Sequence, residues 1–262
     1  MVDAISKALN RFMREDPTFK VRVDEESSQT IISGMGELHL EIYVERIKRE
    51  YKAEVTVGMP QVAYREKLGK TTDYDYKHRK QTGGSGQYGH VVGTFEAIVE
   101  DGTDLQYEFV DKISQGRIPR EFIPAVDKGF QESLEKGPLC GFPVMGLRCI
   151  LKDGSYHDVD SSEMAFRSAA KGAFREFFLK SEPIVLEPIM SIEIETPTEF
   201  QGTVQGDLAS RRGVLTGQDT SGDNVVVRGE VPLKEMFGYS TEIRSKTQGK
   251  AGFSMEFLTY RK

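Results

Sequence analysis

Cysteine is scarce. Only Cys140 and Cys149 occur in 262 residues, and their spacing fits neither a disulfide framework nor a metal-binding pair. A reducing, cytosolic setting is expected. No apolar run reaches the roughly 20 residues that a membrane helix needs. The opening MVDAISKALNRFMRED reads as an amphipathic helix rather than a secretory leader. Positive charge is also short. The 35 Lys and Arg against 41 Asp and Glu give a net charge of −6, which argues against a generic polyanion binder. That argument has limited reach, because a local basic loop can face nucleic acid on an acidic protein. A nucleotide loop is missing as well. Residues 64–71, YREKLGKT, end like a P-loop, yet Tyr64 stands where glycine must let the backbone wrap the phosphates.

What is present is an ordinary globular composition, 38% hydrophobic and 29% charged, in a chain long enough for two or three domains. Ile5, Leu9, Phe12 and Met13 fall on one face of a helix that Pro17 ends. FKVRVD and QTIISG read as strands. GELHLEIYVERIKREY places Leu40, Val44, Ile47 and Tyr51 on one helical stripe, and AEVTVG reads as a closing strand. The order is α-β-β-α-β. From about residue 188 the same order recurs with one more strand in front, β-α-β-β-α-β, the split βαβ or ferredoxin-like pattern, with Gly213 expected as a helix C-cap. The first segment therefore reads as that unit lacking its opening strand. Residues 67–187 form a different unit, with strands in HVVGTFEAIVE, LQYEFVDK and FPVMGLRCILKDG and helices in PREFIPAVDKGFQESLEKG and SSEMAFRSAAKGAFREFFLKS. The fold class is α+β, three domains in series, with seams expected at Pro60 and at Glu187–Pro188.

Three loop sequences carry chemistry. In RKQTGGSGQYGHV, residues 79–91, the glycines free the backbone to approach another molecule, with Arg79, Lys80 and His90 at the borders. A glycine-rich hairpin turn, an RNA-facing loop and a phosphate loop of a small kinase all fit. KISQGRIPREF, residues 112–122, is a turn ahead of a helix entered at Pro119, and a solvated turn accounts for it. DGSYHDVDSSEMAF, residues 153–166, holds one histidine, His157, before a helix. Asp160 with Glu163 has capping-pair spacing, Ser161 or Ser162 fits the same role, and Met164, Ala165, Ala169, Ala173 and Phe174 make a packing face. His157 has no partners for a triad or a metal. It reads either as plain surface or as a probe held out toward a macromolecule.

These words also carry a resemblance. TIISGMGELHLEI at 30–42, QVAYRE at 61–66, QTGGSGQYGHV at 81–91, GSYHDVDSSEMAF at 154–166, VLEPIM at 185–190, GDLASRRG at 206–213 and EMFGYSTEIRSKTQGKA at 235–251 run in register nearly end to end. Together they resemble bacterial elongation factor G. The resemblance implies domain III at 1–66, ferredoxin-like without its first strand; domain IV at 67–187, ribosomal protein S5 domain 2-like; and domain V at 188–262, ferredoxin-like. It implies a tip that enters the decoding region of the small ribosomal subunit, formed by Ser114, Gln115, Gly116 and Arg117 with Tyr156, His157 and Asp158. Gln81, Gly83, Gly84, Ser85, Gly86 and Gln87 would form a second RNA-facing loop, and Arg211 and Arg212 would face the large subunit. Arg117 departs from the apolar residue expected of the family.

The resemblance further implies a translocation module that is no enzyme by itself. No catalytic, cofactor or metal residue is expected in this chain, and GTP and Mg belong to the G domain of the intact factor. The implied partners are rRNA, the tRNA–mRNA duplex and stalk-base proteins of the large subunit, with no membrane, a cytoplasmic location and a monomeric state. The alternatives are a recycling paralogue, a ribosomal protection protein, or a small-molecule kinase binding ATP at residues 81–89.

Overall fold

The computed structural model describes residues 2–24, 29–58, 62–81, 86–98 and 107–262. It divides into two units, Met1–Gln61 and Val62–Lys262.

The first unit holds α1 (Val2–Glu15), β1 (Lys20–Asp24), β2 (Gln29–Ser33) and α2 (Glu37–Tyr51). β1 and β2 pair antiparallel, Val21 opposite Ile32. Ala8, Leu9 and Phe12 of α1 meet Phe19, Tyr43, Ile47 and Ala53 in one core. The stripe expected on α2 is turned slightly, since Tyr43 and Ile47 are its buried centre and Leu40 sits at the margin. Aromatic packing decides this: the Tyr43 ring lies 4.3 Å from Phe19 and 4.9 Å from Phe12, centroid to centroid. Beside Pro17, Asp16 accepts the Thr18 amide (2.8 Å) and hydroxyl (2.6 Å), His39 Nε2–H (2.7 Å) and the Tyr43 hydroxyl (3.0 Å). The Thr18 bonds, followed by that from His39, hold the Asp16 carboxyl well below the usual carboxylate range. The strand expected at AEVTVG is not formed. Residues 52–58 are irregular, although Ala53 and Val55 do turn inward. The alternation is realised only in part, since Val57 is exposed and residues 52–58 form no hydrogen-bonded ladder.

The second unit runs β3 (Arg65–Lys67), β4 (Thr72–Lys80), β5 (Gln87–Ala97), β6 (Tyr107–Asp111), α3 (Ile123–Ser133), β7 (Leu147–Ser155), α4 (Glu163–Lys180), β8 (Ile184–Pro197), α5 (Gln201–Ser210), β9 (Val214–Ser221), β10 (Asn224–Pro232), α6 (Tyr239–Lys246) and β11 (Gly252–Arg261). One sheet has the order β4-β5-β7-β6, with β6 and β7 parallel and the other pairs antiparallel. Its core gathers Tyr74, Val91, Phe95, Leu147 and Leu151 from the strands with Phe130, Phe166, Ala169, Ala173 and Phe174 from α3 and α4. Ser162 caps α4, its Oγ accepting the Ala165 amide at 3.1 Å. Met164, expected on the packing face of α4, is exposed instead, one step around the helix from buried Ala165 and Phe166.

The other sheet is ordered β11-β8-β10-β9, the ferredoxin-like arrangement expected. Ile192, Ile194, Val204, Leu208, Val225, Val227 and Ile243 fill its core. Two expectations change here. Glu187–Pro188 is not a break, because β8 continues through it: Ile184–Leu186 pair with β3, and later residues pair with β10 and β11. Pro60 lies outside the described residues. At the end of α5 the left-handed residue is Arg212 (φ 61) rather than Gly213. Gly213 is small for a different reason, since a Cβ there would stand 2.5 Å from the Leu208 carbonyl that its own N–H reaches at 2.9 Å. Among the described residues no helix is long and apolar enough to cross a membrane.

Candidate nucleic-acid interface

Strand direction gathers the three loops. β6 and β7 run parallel, so the turn after Asp111 and the loop after Ser155 leave the same edge of the sheet. β5 is antiparallel to both neighbours, with Lys80 opposite Gln87 and His90 opposite Ser155. The connection between β4 and β5 therefore lies at that edge too. Of the sequence-predicted residues in that connection, Gly83, Gly84 and Ser85 lie outside the described residues, whereas Gln81, Gly86 and Gln87 border it. β4 brings the exposed side chains of Arg79 and Lys80 to the same end.

Ser114, Gln115, Gly116 and Arg117 are all exposed, while Ile118 behind them is fully buried and anchors the turn. Gln115 (φ 58) and Gly116 (φ 67) are consecutive left-handed residues, closed by the Arg117 amide on the Ser114 carbonyl at 3.4 Å. Glycine takes this conformation freely, whereas glutamine is held there at a cost of order 1–2 kcal/mol. Arg117 is not a free cation: its Nη1 donates to Asp153 Oδ2 at 2.5 Å, with both side chains partly exposed.

Tyr156, His157 and Asp158 are exposed as well. The His157 ring is oriented by backbone. Its Nδ1 accepts the amides of Val159 (3.3 Å) and Asp160 (3.2 Å), which leaves Nε2 to carry the ring proton of a half-exposed side chain. The His157 amide donates to Ser161 Oγ (2.9 Å), and Ser161 Oγ donates to the Tyr88 carbonyl (2.8 Å). Asp160 does not serve the helix terminus as the capping spacing suggested. Its Oδ1 accepts the Gly86 amide (3.1 Å) and its carbonyl accepts the Tyr88 amide (2.8 Å), tying the glycine-rich connection to the histidine loop. Gln87 is engaged locally, its Oε1 accepting His78 Nε2–H at 2.8 Å. Tyr88, His90, Asp160 and Ser161 thus do more at this end than motif reading indicated. The readable signal was the alternation of Tyr88 and His90, which puts both on one face of β5.

The two arginines assigned to the large subunit differ. Arg211 is largely enclosed. It donates to Asp207 (3.1 Å), the Glu235 carbonyl (2.5 Å) and Glu242, and lies over the Tyr239 ring at 4.8 Å. Only Arg212 of the pair points outward, bonded to Glu187 at 2.5 Å.

At this end of the sheet the 156–161 loop is tied to Gly86 and Tyr88, and the 114–117 turn is tied to β7 through Arg117 and Asp153; with the exposed Arg79 and Lys80 they make an open polar surface rather than an enclosed pocket. A cavity of about 450 Å³ lies elsewhere, on the second sheet between Glu193, Lys250 and Phe253. Comparison with known proteins then gives the family. Residues 2–59 match the family model for elongation factor G domain III, 60–182 that for domain IV, and 184–262 that for the elongation factor G C-terminus. The chain belongs to the elongation factor G family. It is 56% identical to elongation factor G 1 of Desulfotalea psychrophila over 98% of its length, covering 36% of that protein. It is 57% identical to elongation factor G of Rhodopirellula baltica over 99% of its length, covering 37% of that protein. A crystal structure from Thermus thermophilus superimposes with a TM-score of 0.81 at 38% identity, covering 98% of this chain and 38% of that one. The chain thus spans a little over a third of the curated relatives it matches.

Proposed function

We propose that this chain is the ribosome-facing module of a translocase, and that the loop edge of the domain IV sheet occupies the decoding region behind the moving tRNA–mRNA duplex. The observation that carries this reading is the backbone-fixed, half-exposed His157, whose Nε2–H, at the same end of the sheet as the strained Gln115–Gly116 turn, offers a donor to phosphate or ribose oxygens without reading base sequence. The mechanism is steric and electrostatic. A braced edge fills the space that tRNA vacates, so backward thermal motion becomes unfavourable. GTP hydrolysis, with its Mg, belongs to the G domain of the intact factor, and this chain makes and breaks no bonds itself. The partners are rRNA, the tRNA–mRNA duplex and large-subunit stalk-base proteins, met in the cytoplasm, with Arg212 the better placed of its pair for the large subunit.

The test is His157→Ala in the intact factor. tRNA movement slows while ribosome-stimulated GTP hydrolysis stays near wild type. Equal loss of both activities would refute the tip assignment.

A further inference from the structure

Behind the tip, a chain of polar side chains crosses three strands of the domain IV sheet. Asp75 of β4 holds His90 of β5, with Oδ1 and Nε2 2.8 Å apart. His90 Nδ1 lies 3.0 Å from Ser155 Oγ, the last residue of β7, and Ser155 Oγ lies 2.7 Å from the Tyr88 hydroxyl. With Nε2–H donating to the Asp75 carboxylate, Nδ1 accepts the Ser155 hydroxyl hydrogen. Ser155 Oγ then accepts from Tyr88, so all three bonds point one way. Tyr88 is where this chain meets the tip. Its backbone N–H and C=O hold Asp160 and Ser161, and its ring centroid lies 6.3 Å from that of His157. Ser155 is bonded into the chain two residues before His157.

Asp, His and Ser in sequence also suggest an acyl-transfer triad. The surroundings speak against that: the Asp75 carboxylate is 69% exposed, and the Ser155 hydroxyl is tied to the Tyr88 hydroxyl rather than aimed at an open subsite.

We propose that Asp75, His90, Ser155 and Tyr88 are positioning residues for His157: they lock the end of β7 against β5, so that the 156–161 loop keeps the register in which the Val159 and Asp160 amides reach Nδ1. The biological use of this relay rests on the RNA-facing reading of the tip, whereas the relay itself does not.

The experiment is long-range ¹H–¹⁵N NMR of the four imidazoles in this chain, which reports which ring nitrogen carries the proton, with thermal unfolding measured alongside. In the wild type, His157 shows the single Nε2–H pattern. In Ser155→Ala and His90→Gln that pattern is lost to a tautomer mixture, with the His39 signals unchanged and the unfolding midpoint moved by a few degrees at most. Glutamine reaches toward Asp75 but leaves Ser155 without its acceptor. His90→Asn, whose amide oxygen stands near the Nδ1 position, restores the wild-type pattern. A merely structural histidine would not separate Asn from Gln. Wild-type His157 signals in Ser155→Ala, or equal loss in His90→Asn and His90→Gln, would overturn the proposal. If the signature responds as expected while the intact Ser155→Ala factor moves tRNA at the wild-type rate, the relay stands and the RNA-facing reading fails.

Discussion

Glu66→Ala is the perturbation whose magnitude the structure defines best. Glu66 lies in β3 with no exposed surface. Its Oε1 accepts the amides of Cys140 (2.7 Å) and Phe142 (3.1 Å), and its Oε2 accepts that of Leu139 (3.0 Å). Its own N–H donates to the Pro143 carbonyl at 2.9 Å, and its carbonyl accepts the Met145 amide at 3.0 Å. One side chain therefore closes the 137–142 loop on the strand that enters domain IV. A hydrogen bond to a charged acceptor contributes roughly 1.5–3 kcal/mol, and an orphaned buried donor costs a similar amount. Leu139 and Cys140 are exposed residues, so water reaches part of the gap and each of the three orphaned amides counts about 1 kcal/mol, the low end of that cost. The expected loss for Glu66→Ala is about 3 kcal/mol, roughly a 6–12 °C fall in Tm for a unit of this size. Glu66→Gln keeps one oxygen for two amides but turns an NH₂ toward the third, so about half that loss is expected. The chain has no tryptophan, which makes far-UV circular dichroism with calorimetry the suitable assay, the two units being followed as separate transitions. A loss under about 1 kcal/mol for Glu66→Ala, or a Gln variant no better than Ala, would refute the argument that these three bonds close the loop.

Two further outcomes follow from local geometry. Gln115→Gly relieves a left-handed glutamine and is expected to leave the chain at least as stable as wild type, whereas Gln115→Val costs about 1–2 kcal/mol in urea unfolding, because β-branched residues avoid that region. Asp207 gives a pH dependence: burial pushes its carboxyl up, but hydrogen bonds from Lys246 and Arg211 outweigh this and leave it below the usual range. A carboxyl depressed on folding stabilises the folded state above its unfolded pKa of about 4, and that stability is lost as the pH falls through the folded value. Asp207→Asn is therefore expected to cost roughly 2 kcal/mol at neutral pH and to flatten the acid limb of the stability curve; an unchanged limb would contradict the assignment.

Local periodicity made most elements legible, and non-local pairing hid the rest. The helices over 163–180 and 201–210 and the ferredoxin-like order of the last segment follow from spacing that any reader of the chain can see. The absence of a strand at 53–58 was not legible, because alternation shows burial but not whether a partner strand is at hand. Glu66 sits in a run, YREKLGKT, whose only sequence signal is its likeness to a P-loop, and only the return of residues 137–142 shows why it is buried. At the tip, Gly116 announced a turn, but the strain on Gln115 had no sequence signal. The bonds of the Asp75–His90–Ser155–Tyr88 chain join positions 15, 65 and 67 residues apart, and only the strand registers bring them together.

β8 has a mechanical consequence. One uninterrupted strand pairs first with β3 (Arg65↔Leu186, Glu66↔Val185, Lys67↔Ile184) and then becomes an inner member of the ferredoxin-like sheet. It works as a splint across what would otherwise be a joint: swivelling there would require peeling ladder bonds on one side or the other. A rotation about that junction is thus opposed by two ladders on one strand, where a slack connection would leave it free.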